Sequence, residues 1–194
     1  MPVEYFFPTP IYHSFIKNDV IHSQIDYLIE NLQKDELSSP WFDNVKTTFR
    51  FNATNNISNR IPLLEKEVKN HCTLYLNEVL SRSQQDYELN ILESWLNISN
   101  RNNFQHYHSH TSDISVVFYH QTNEKDGDII FSNPSLASRL NKLTMQIDTI
   151  RYMPQKGKII IFPSFLEHAV NMNETDHPRV SIAFNVGINN IQNI

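Results

Sequence analysis

The sequence predicts a mainly β fold, a jelly-roll (cupin-like) barrel carrying a layer of N-terminal helices. Strand-like runs at 90–99, 114–120, 128–132, 144–152, 157–162 and 179–187 follow one another without an intervening helix. Closely spaced strands of this kind build an antiparallel sandwich or barrel. Turn signals separate them: Lys125-Asp126-Gly127-Asp128, Asn133-Pro134, Pro154-Gln155-Lys156-Gly157 and Asp176-His177-Pro178. Helical periodicity, by contrast, is confined to the first 87 residues.

The chain opens with Tyr5-Phe6-Phe7-Pro8-Thr9-Pro10-Ile11-Tyr12, an extended segment broken by prolines. A helix is expected over 19–33, where Ile21, Ile25, Leu28, Ile29 and Leu32 recur at the helix period behind Asn18 or Asp19 as cap. A looser stretch follows, in which Lys46-Thr47-Thr48-Phe49-Arg50-Phe51 fits a strand. A second helix is expected over 60–82, capped by Ser58 or Asn59 with Pro62 in its first turn; Leu64, Val68, Tyr75, Val79 and Leu80 share one face. Both helices need a surface to cover. Residues 1–87 are therefore expected to pack on a barrel core formed by 88–194, giving one domain of 194 residues.

Composition excludes several classes. A net charge of −5 argues against a broad nucleic-acid surface. No apolar run approaches a membrane span, and no basic region followed by an apolar stretch marks a secretory signal. Cys72 stands alone, so no internal disulfide forms and a reducing, cytoplasmic setting is the simplest expectation. Three glycines leave no glycine-rich phosphate loop.

The chemistry gathers in two distant segments. His108 and His110 flank Ser109, so in an extended chain both rings point the same way, ahead of the run Ile114–Tyr119. His168 follows Ile159-Ile160-Ile161-Phe162 and can complete a face of three nitrogen donors, a set that suits iron, zinc, copper or nickel. The register His106-Tyr107-His108 fits the same spacing; 108/110 is preferred because the next strand then starts at the expected distance. Arg179 stands eleven residues after His168. In 179–186, Arg179, Ser181, Ala183 and Asn185 share a polar face and Val180, Ile182, Phe184 and Val186 an apolar one. Arginine and serine two apart on a strand can jointly hold a carboxylate. In 91–98, Glu93, Trp95 and Asn97 likewise oppose Leu92, Leu96 and Ile98.

These motifs resemble the 2-oxoglutarate and Fe(II)-dependent oxygenases of the double-stranded β-helix fold, and more narrowly a 2OG-Fe(II) oxygenase family found in phages and bacteria. The resemblance runs through Phe7-Pro8-Thr9-Pro10, Ser94-Trp95-Leu96-Asn97, His108-x-His110, Gly127-Asp128-Ile129-Ile130-Phe131, Phe162-Pro163-Ser164-x-x-x-His168 and Arg179-x-Ser181-x-x-x-Asn185. It implies that His108, His110 and His168 hold the metal. It also implies that Arg179, with Ser181, Asn97 and Asn185, binds the co-substrate 2-oxoglutarate. The implied reaction decarboxylates 2-oxoglutarate to succinate and CO₂ with O₂ and oxidises a C–H bond, as a hydroxylase does. The wider superfamily has a carboxylate where this chain has His110; a neutral third ligand keeps iron possible and also admits zinc or nickel. Asp113 is nearby, at the wrong offset for the usual carboxylate. If phage-encoded, the protein would work in the host cytoplasm, with a small molecule as co-substrate and a homodimer as a possible state.

Two other readings stand beside this one. A three-histidine cupin-type dioxygenase would bind iron and release no succinate. A non-catalytic jelly-roll binding or virion-associated module would tolerate loss of all three histidines. Among the remaining residues, His13, His22 and His71 read as solvated, His120 as a strand end, His177 as loop, Cys72 as inert packing and Trp95 as barrel packing.

Overall fold

The computed structural model describes residues 8–39, 44–50, 55–80, 87–135 and 148–189. Phe7 of the opening motif, Phe51, Ser81, Arg82 and the 144–147 part of one expected strand lie outside these residues.

Strand β1 (Tyr12–Phe15) leads into helix α1 (Asp19–Glu30). Asn18 caps the helix through its side chain, which accepts from the Val20 N–H. The helix stops three residues earlier than periodicity suggests. Asn31 turns there, its side-chain amide donating at 2.7 Å to the Tyr27 carbonyl, which also accepts from the Asn31 N–H at 3.2 Å. Ile21, Ile25 and Leu28 form the buried face. Strand β2 is only Lys46–Thr47, shorter than the expected 46–51. Beyond it one backbone bond remains, from the Thr48 N–H to the Leu96 carbonyl at 3.0 Å, and side chains add to it: Thr47 Oγ1 donates to the Leu96 carbonyl and the Leu96 N–H donates to Thr48 Oγ1. Helix α2 (Pro62–Leu80) follows, with Pro62 at its start, where a missing N–H costs nothing. Its buried stripe is Leu64, Val68, Cys72, Tyr75 and Leu76, while Val79 is exposed. Ser58 does not cap this helix through a backbone N–H; its hydroxyl donates to the Glu65 carboxylate.

The remaining strands are β3 (Glu88–Ser99), β4 (Gln105–His108), β5 (Ile114–Gln121), β6 (Ile129–Ser132), β7 (Thr149–Tyr152), β8 (Lys158–Pro163), β9 (His168–Val170) and β10 (Arg179–Asn189). They form a six-stranded sheet in the order β1-β8-β5-β10-β3-β2 and a four-stranded sheet in the order β4-β9-β6-β7. All ladders are antiparallel. Among the described residues no ladder joins the two sheets.

Strand alternation divides the large sheet into two faces with different jobs. On one face Val116, Phe118, Ile159, Ile161, Val180, Ile182 and Phe184 pack in a single core with Ile21, Ile25, Leu64, Val68 and Cys72 of the helices. On the other face Tyr119, Ile160 and Phe162 pack with Ile129 and Phe131 of the small sheet and with Leu166. The helices thus seal one side of the large sheet, and the second side is left to enclose a cavity. Two expectations for histidines change here. His22 is buried rather than solvated, and its Nδ1 lies 2.9 Å from Nδ1 of His120, whose Nε2 meets Asp26 at 2.7 Å. His71 is half-buried against Tyr12, 2.8 Å from its hydroxyl.

Candidate metal centre

His108 and His168 face each other as partners in the β4–β9 ladder. His110 lies two residues past the end of β4, where its peptide N–H donates to the Ser164 carbonyl at 2.9 Å. The three rings converge, with centroid separations of 4.3 Å (108 to 168), 5.1 Å (108 to 110) and 5.3 Å (110 to 168). One donor nitrogen from each can be chosen so that all lie within 4.8 Å of one another. His106 is not in this group. It is exposed, and its ring packs edge-on against Phe104.

The tautomers follow from hydrogen bonds. His108 Nδ1 lies 2.7 Å from the His106 carbonyl and His168 Nδ1 lies 2.9 Å from the Leu166 carbonyl. A carbonyl only accepts, so Nδ1 carries a proton in both rings and Nε2 is the nitrogen left to face a metal. Backbone partners of this sort are what orient metal-binding imidazoles. Burial, reinforced by His108, pulls the His110 pKa down to about 4. Burial, with His108 next, pulls His168 down to about 3. Both rings are therefore neutral donors at pH 7. Phe162 and Phe131 flank His168, with ring centroids at 4.8 and 6.0 Å, and Trp95 packs on His110 at 5.7 Å. No carboxylate joins the three imidazoles among the described residues, and Asp113 instead accepts from the Ile188 N–H at 2.8 Å. The donor set fits a divalent transition metal of the iron-to-zinc range: three imidazole nitrogens on one side, with the cavity on the other.

Across the same cavity lies Arg179, 3% exposed. Its Nη1 donates to the carbonyls of Asp126 and Gly127 (the latter at 2.9 Å), and its Nη2 donates to Ser99 Oγ at 3.1 Å. That leaves the Nε hydrogen and one Nη2 hydrogen for another partner. Among the described residues no carboxylate forms an ion pair with it. Burial lowers its pKa and Tyr119, Asp126 and Asp128 oppose that shift, but a guanidinium stays charged. A buried cation with no carboxylate in ion-pair contact is costly, and its two free N–H hydrogens give it the chemistry to take an anion. Gly127 makes the arrangement possible. Its φ is +99°, and a Cβ there would stand 2.2 Å from the Asn171 carbonyl oxygen and 2.9 Å from Arg179 Nη1.

Ser181 and Asn97 also line the cavity, directly opposite one another in the β10–β3 ladder. Asn97 Oδ1 is buried without a hydrogen-bond partner, a sign that something besides protein completes this wall. Asn185 shares the strand face but is not among the lining residues; its Nδ2 donates to Glu93 at 2.9 Å. Two residues that sequence reasoning passed over belong here. Tyr119 lines the cavity beside Ser181, and burial raises its phenol to about 12, so it stays a donor. Ser99 holds the guanidinium from β3. Period-2 counting along β5 and β3 would have placed both on the inner face.

Residues 93–185 match the family model described as "Putative 2OG-Fe(II) oxygenase". No functionally curated protein matched the sequence. Among solved structures, the chain is similar to an oxidoreductase of the 2OG-Fe(II) oxygenase family from Burkholderia pseudomallei (14% identity, TM-score 0.60, 86% of this chain and 77% of that one). It is similar to HygX from Streptomyces hygroscopicus, solved with nickel, 2-oxoglutarate and hygromycin B (11%, TM-score 0.63, 92% and 83%). It is also similar to a prolyl-4-hydroxylase from Pseudomonas putida (12%, TM-score 0.60, 91% and 92%). At these identities the likeness is one of fold.

Proposed function

We propose, from the match of residues 93–185 to the 2OG-Fe(II) oxygenase family, that His108, His110 and His168 hold iron and that Arg179 anchors 2-oxoglutarate. The observation that carries the assignment is the buried guanidinium, in ion-pair contact with no carboxylate among the described residues, across one cavity from three converging imidazoles. When bound, Fe(II) supplies activation of O₂ for decarboxylation of 2-oxoglutarate to succinate and CO₂, coupled to oxidation of a substrate C–H bond.

The chain's own residues bind, orient and exclude. The free Nε and Nη2 hydrogens of Arg179 form a fork for the distal carboxylate, and the hydroxyls of Ser181 and Tyr119 donate beside it. Asn97, whose amide oxygen has no partner, is held opposite Ser181 and can turn its NH₂ to a co-substrate oxygen. Asn185 lies further along the face and supports the wall through Glu93. Trp95, Phe131 and Phe162 pack against the imidazoles and keep water from the site, which strengthens every charge interaction inside it. Three neutral ligands leave the full ionic charge on the metal face, which favours a chelating anion there.

No helix among the described residues is long and apolar enough to cross a membrane. The single buried thiol of Cys72 fits a reducing cytoplasm.

The test is turnover of 2-oxoglutarate without added substrate. Succinate should form only with Fe(II) and O₂ present and should drop sharply in Arg179→Ala. Iron binding with no succinate would favour a three-histidine dioxygenase that uses no keto acid.

A further inference from the structure

We propose that Ser164 is a positioning residue for the metal face, fixing His110 against the turn that carries His168. The proposal rests on the reading of the three histidines as ligands. Its basis is an asymmetry in how they are held. His108 and His168 are locked by the sheet, as partners in the β4–β9 ladder. His110 lies outside any strand, in the 109–113 connection, and needs another support.

Ser164 supplies it with every polar group it has. It is fully buried, directly after β8 and four residues before His168. Its carbonyl accepts from the His110 N–H at 2.9 Å, and its N–H donates to the Asp113 carbonyl at 3.1 Å. Its hydroxyl sits 2.7 Å from Ser112 Oγ and 2.8 Å from Ser115 Oγ. Ser112 in turn donates to the Ile114 carbonyl at 3.3 Å. Each hydroxyl has one proton, so the three serines form a directed chain rather than interchangeable contacts. The chain crosses from half-exposed Ser112 to Ser115, which lines the cavity. The ladder pairs Ile114–Pro163 and Ser115–Phe162 abut it, so the stitch begins where the β5–β8 ladder stops. On the other side of Ser164, Leu166 N–H donates to the Pro163 carbonyl and Leu166 accepts from His168 Nδ1. One residue thus links the loop of one ligand to the turn that orients another.

A proton-conducting role for the serine chain does not follow, because the proposed reaction consumes and releases no net proton from the cavity. The role is preorganisation: three nitrogens placed before the ion arrives, with no ordering left for binding to supply.

The experiment titrates metal-free protein with Co(II) and reads affinity and the visible Co(II) bands, which report ligand geometry. The variants are Ser164→Ala, Ser112→Ala and, as a comparator remote from the site, Ile25→Val. Ser164→Ala keeps the backbone bond to His110 and removes only the hydroxyl that ties Ser112 and Ser115 together; it is expected to weaken binding about fivefold, below the roughly 10- to 100-fold loss of a ligand's direct partner, with shifted bands. Ser112→Ala, half-exposed and removing one link, is expected to weaken binding about threefold, below the range for full loss of such a partner. Ile25→Val should lower the melting temperature and leave both readouts alone. If Ser164→Ala does not fold, Ser112→Ala decides. Wild-type affinity and bands in the folded serine variants would overturn the proposal. Failure of the ligand assignment itself looks different: wild-type protein binds no Co(II), or His110→Ala binds it as wild type does.

Discussion

Gly127 and Arg179 are in direct contact: Arg179 Nη1 donates to the Gly127 carbonyl at 2.9 Å, and a Cβ on residue 127 would lie equally close to that nitrogen. The guanidinium therefore owes its place to a missing side chain. Gly127→Ala must move the Asn171 backbone, 2.2 Å from the new Cβ, and must strain a positive φ. The expected cost is about 1–3 kcal/mol of stability, together with weaker 2-oxoglutarate binding. Urea unfolding and co-substrate titration read the two effects separately; a variant that loses stability and keeps full affinity would show that Arg179 does not depend on this contact.

Arg179→Ala should spare the metal and lose the co-substrate. Removing one partner of a buried, hydrogen-bonded charge pair costs about 2–5 kcal/mol, or roughly 30- to several-thousand-fold in affinity. Arg179→Lys should recover only part of this, because an ammonium lacks the planar fork. Calorimetry with 2-oxoglutarate in the presence of Ni(II) checks both. Equal affinities for wild type and alanine variant would remove Arg179 from the site.

The competing histidine registers predict different variants. His110→Ala should weaken Ni(II) binding by at least roughly 100-fold, beyond the loss typical of partners behind the ligands. His106→Ala should leave it unchanged, since that ring packs on Phe104 away from the cluster. The reverse result would mean that the chain rearranges around the ion.

The metal-free protein should lose stability as the solution is acidified below neutrality. His110 and His168 have native pKa values of about 4 and about 3, depressed by burial from an ordinary 6.5. Between those values and 6.5 the unfolded chain binds protons that the native state refuses, so stability rises with pH across that window. His22 and His120, depressed chiefly by burial, act in the same direction. The urea midpoint should therefore be highest above about pH 6.5 and fall steadily toward pH 4. A flat profile would mean that the buried imidazoles are not neutral in the native state.

Much of this was legible in the sequence because strand parity is visible without a structure. Arg179, Ser181 and Ala183 alternate with Val180, Ile182 and Phe184, and the two sets do line the cavity and the helical core. The meeting of His108, His110 and His168 was likewise foreshadowed by their positions beside apolar runs. Other features left no such trace. Strands β4 and β9 have four and three residues, too short to display a period. Tyr119 did carry the inner parity of β5, with Ser115 and Val117, but an aromatic at the end of an apolar run looks like core. The support of Arg179 by two carbonyls and of His110 by a third is backbone chemistry, to which side-chain identity is blind. His22 looked solvated because a histidine on an amphipathic helix gives no sign of a partner 98 residues away.

The most direct measurement is anaerobic absorption spectroscopy on the metal-free protein, adding Fe(II) first and 2-oxoglutarate second. A visible charge-transfer band should appear only when both are present. It should be missing in His168→Ala, and in Arg179→Ala it should need far more 2-oxoglutarate. No band in the wild type, or one that survives His168→Ala undiminished, would contradict the placement of iron and keto acid in this cavity.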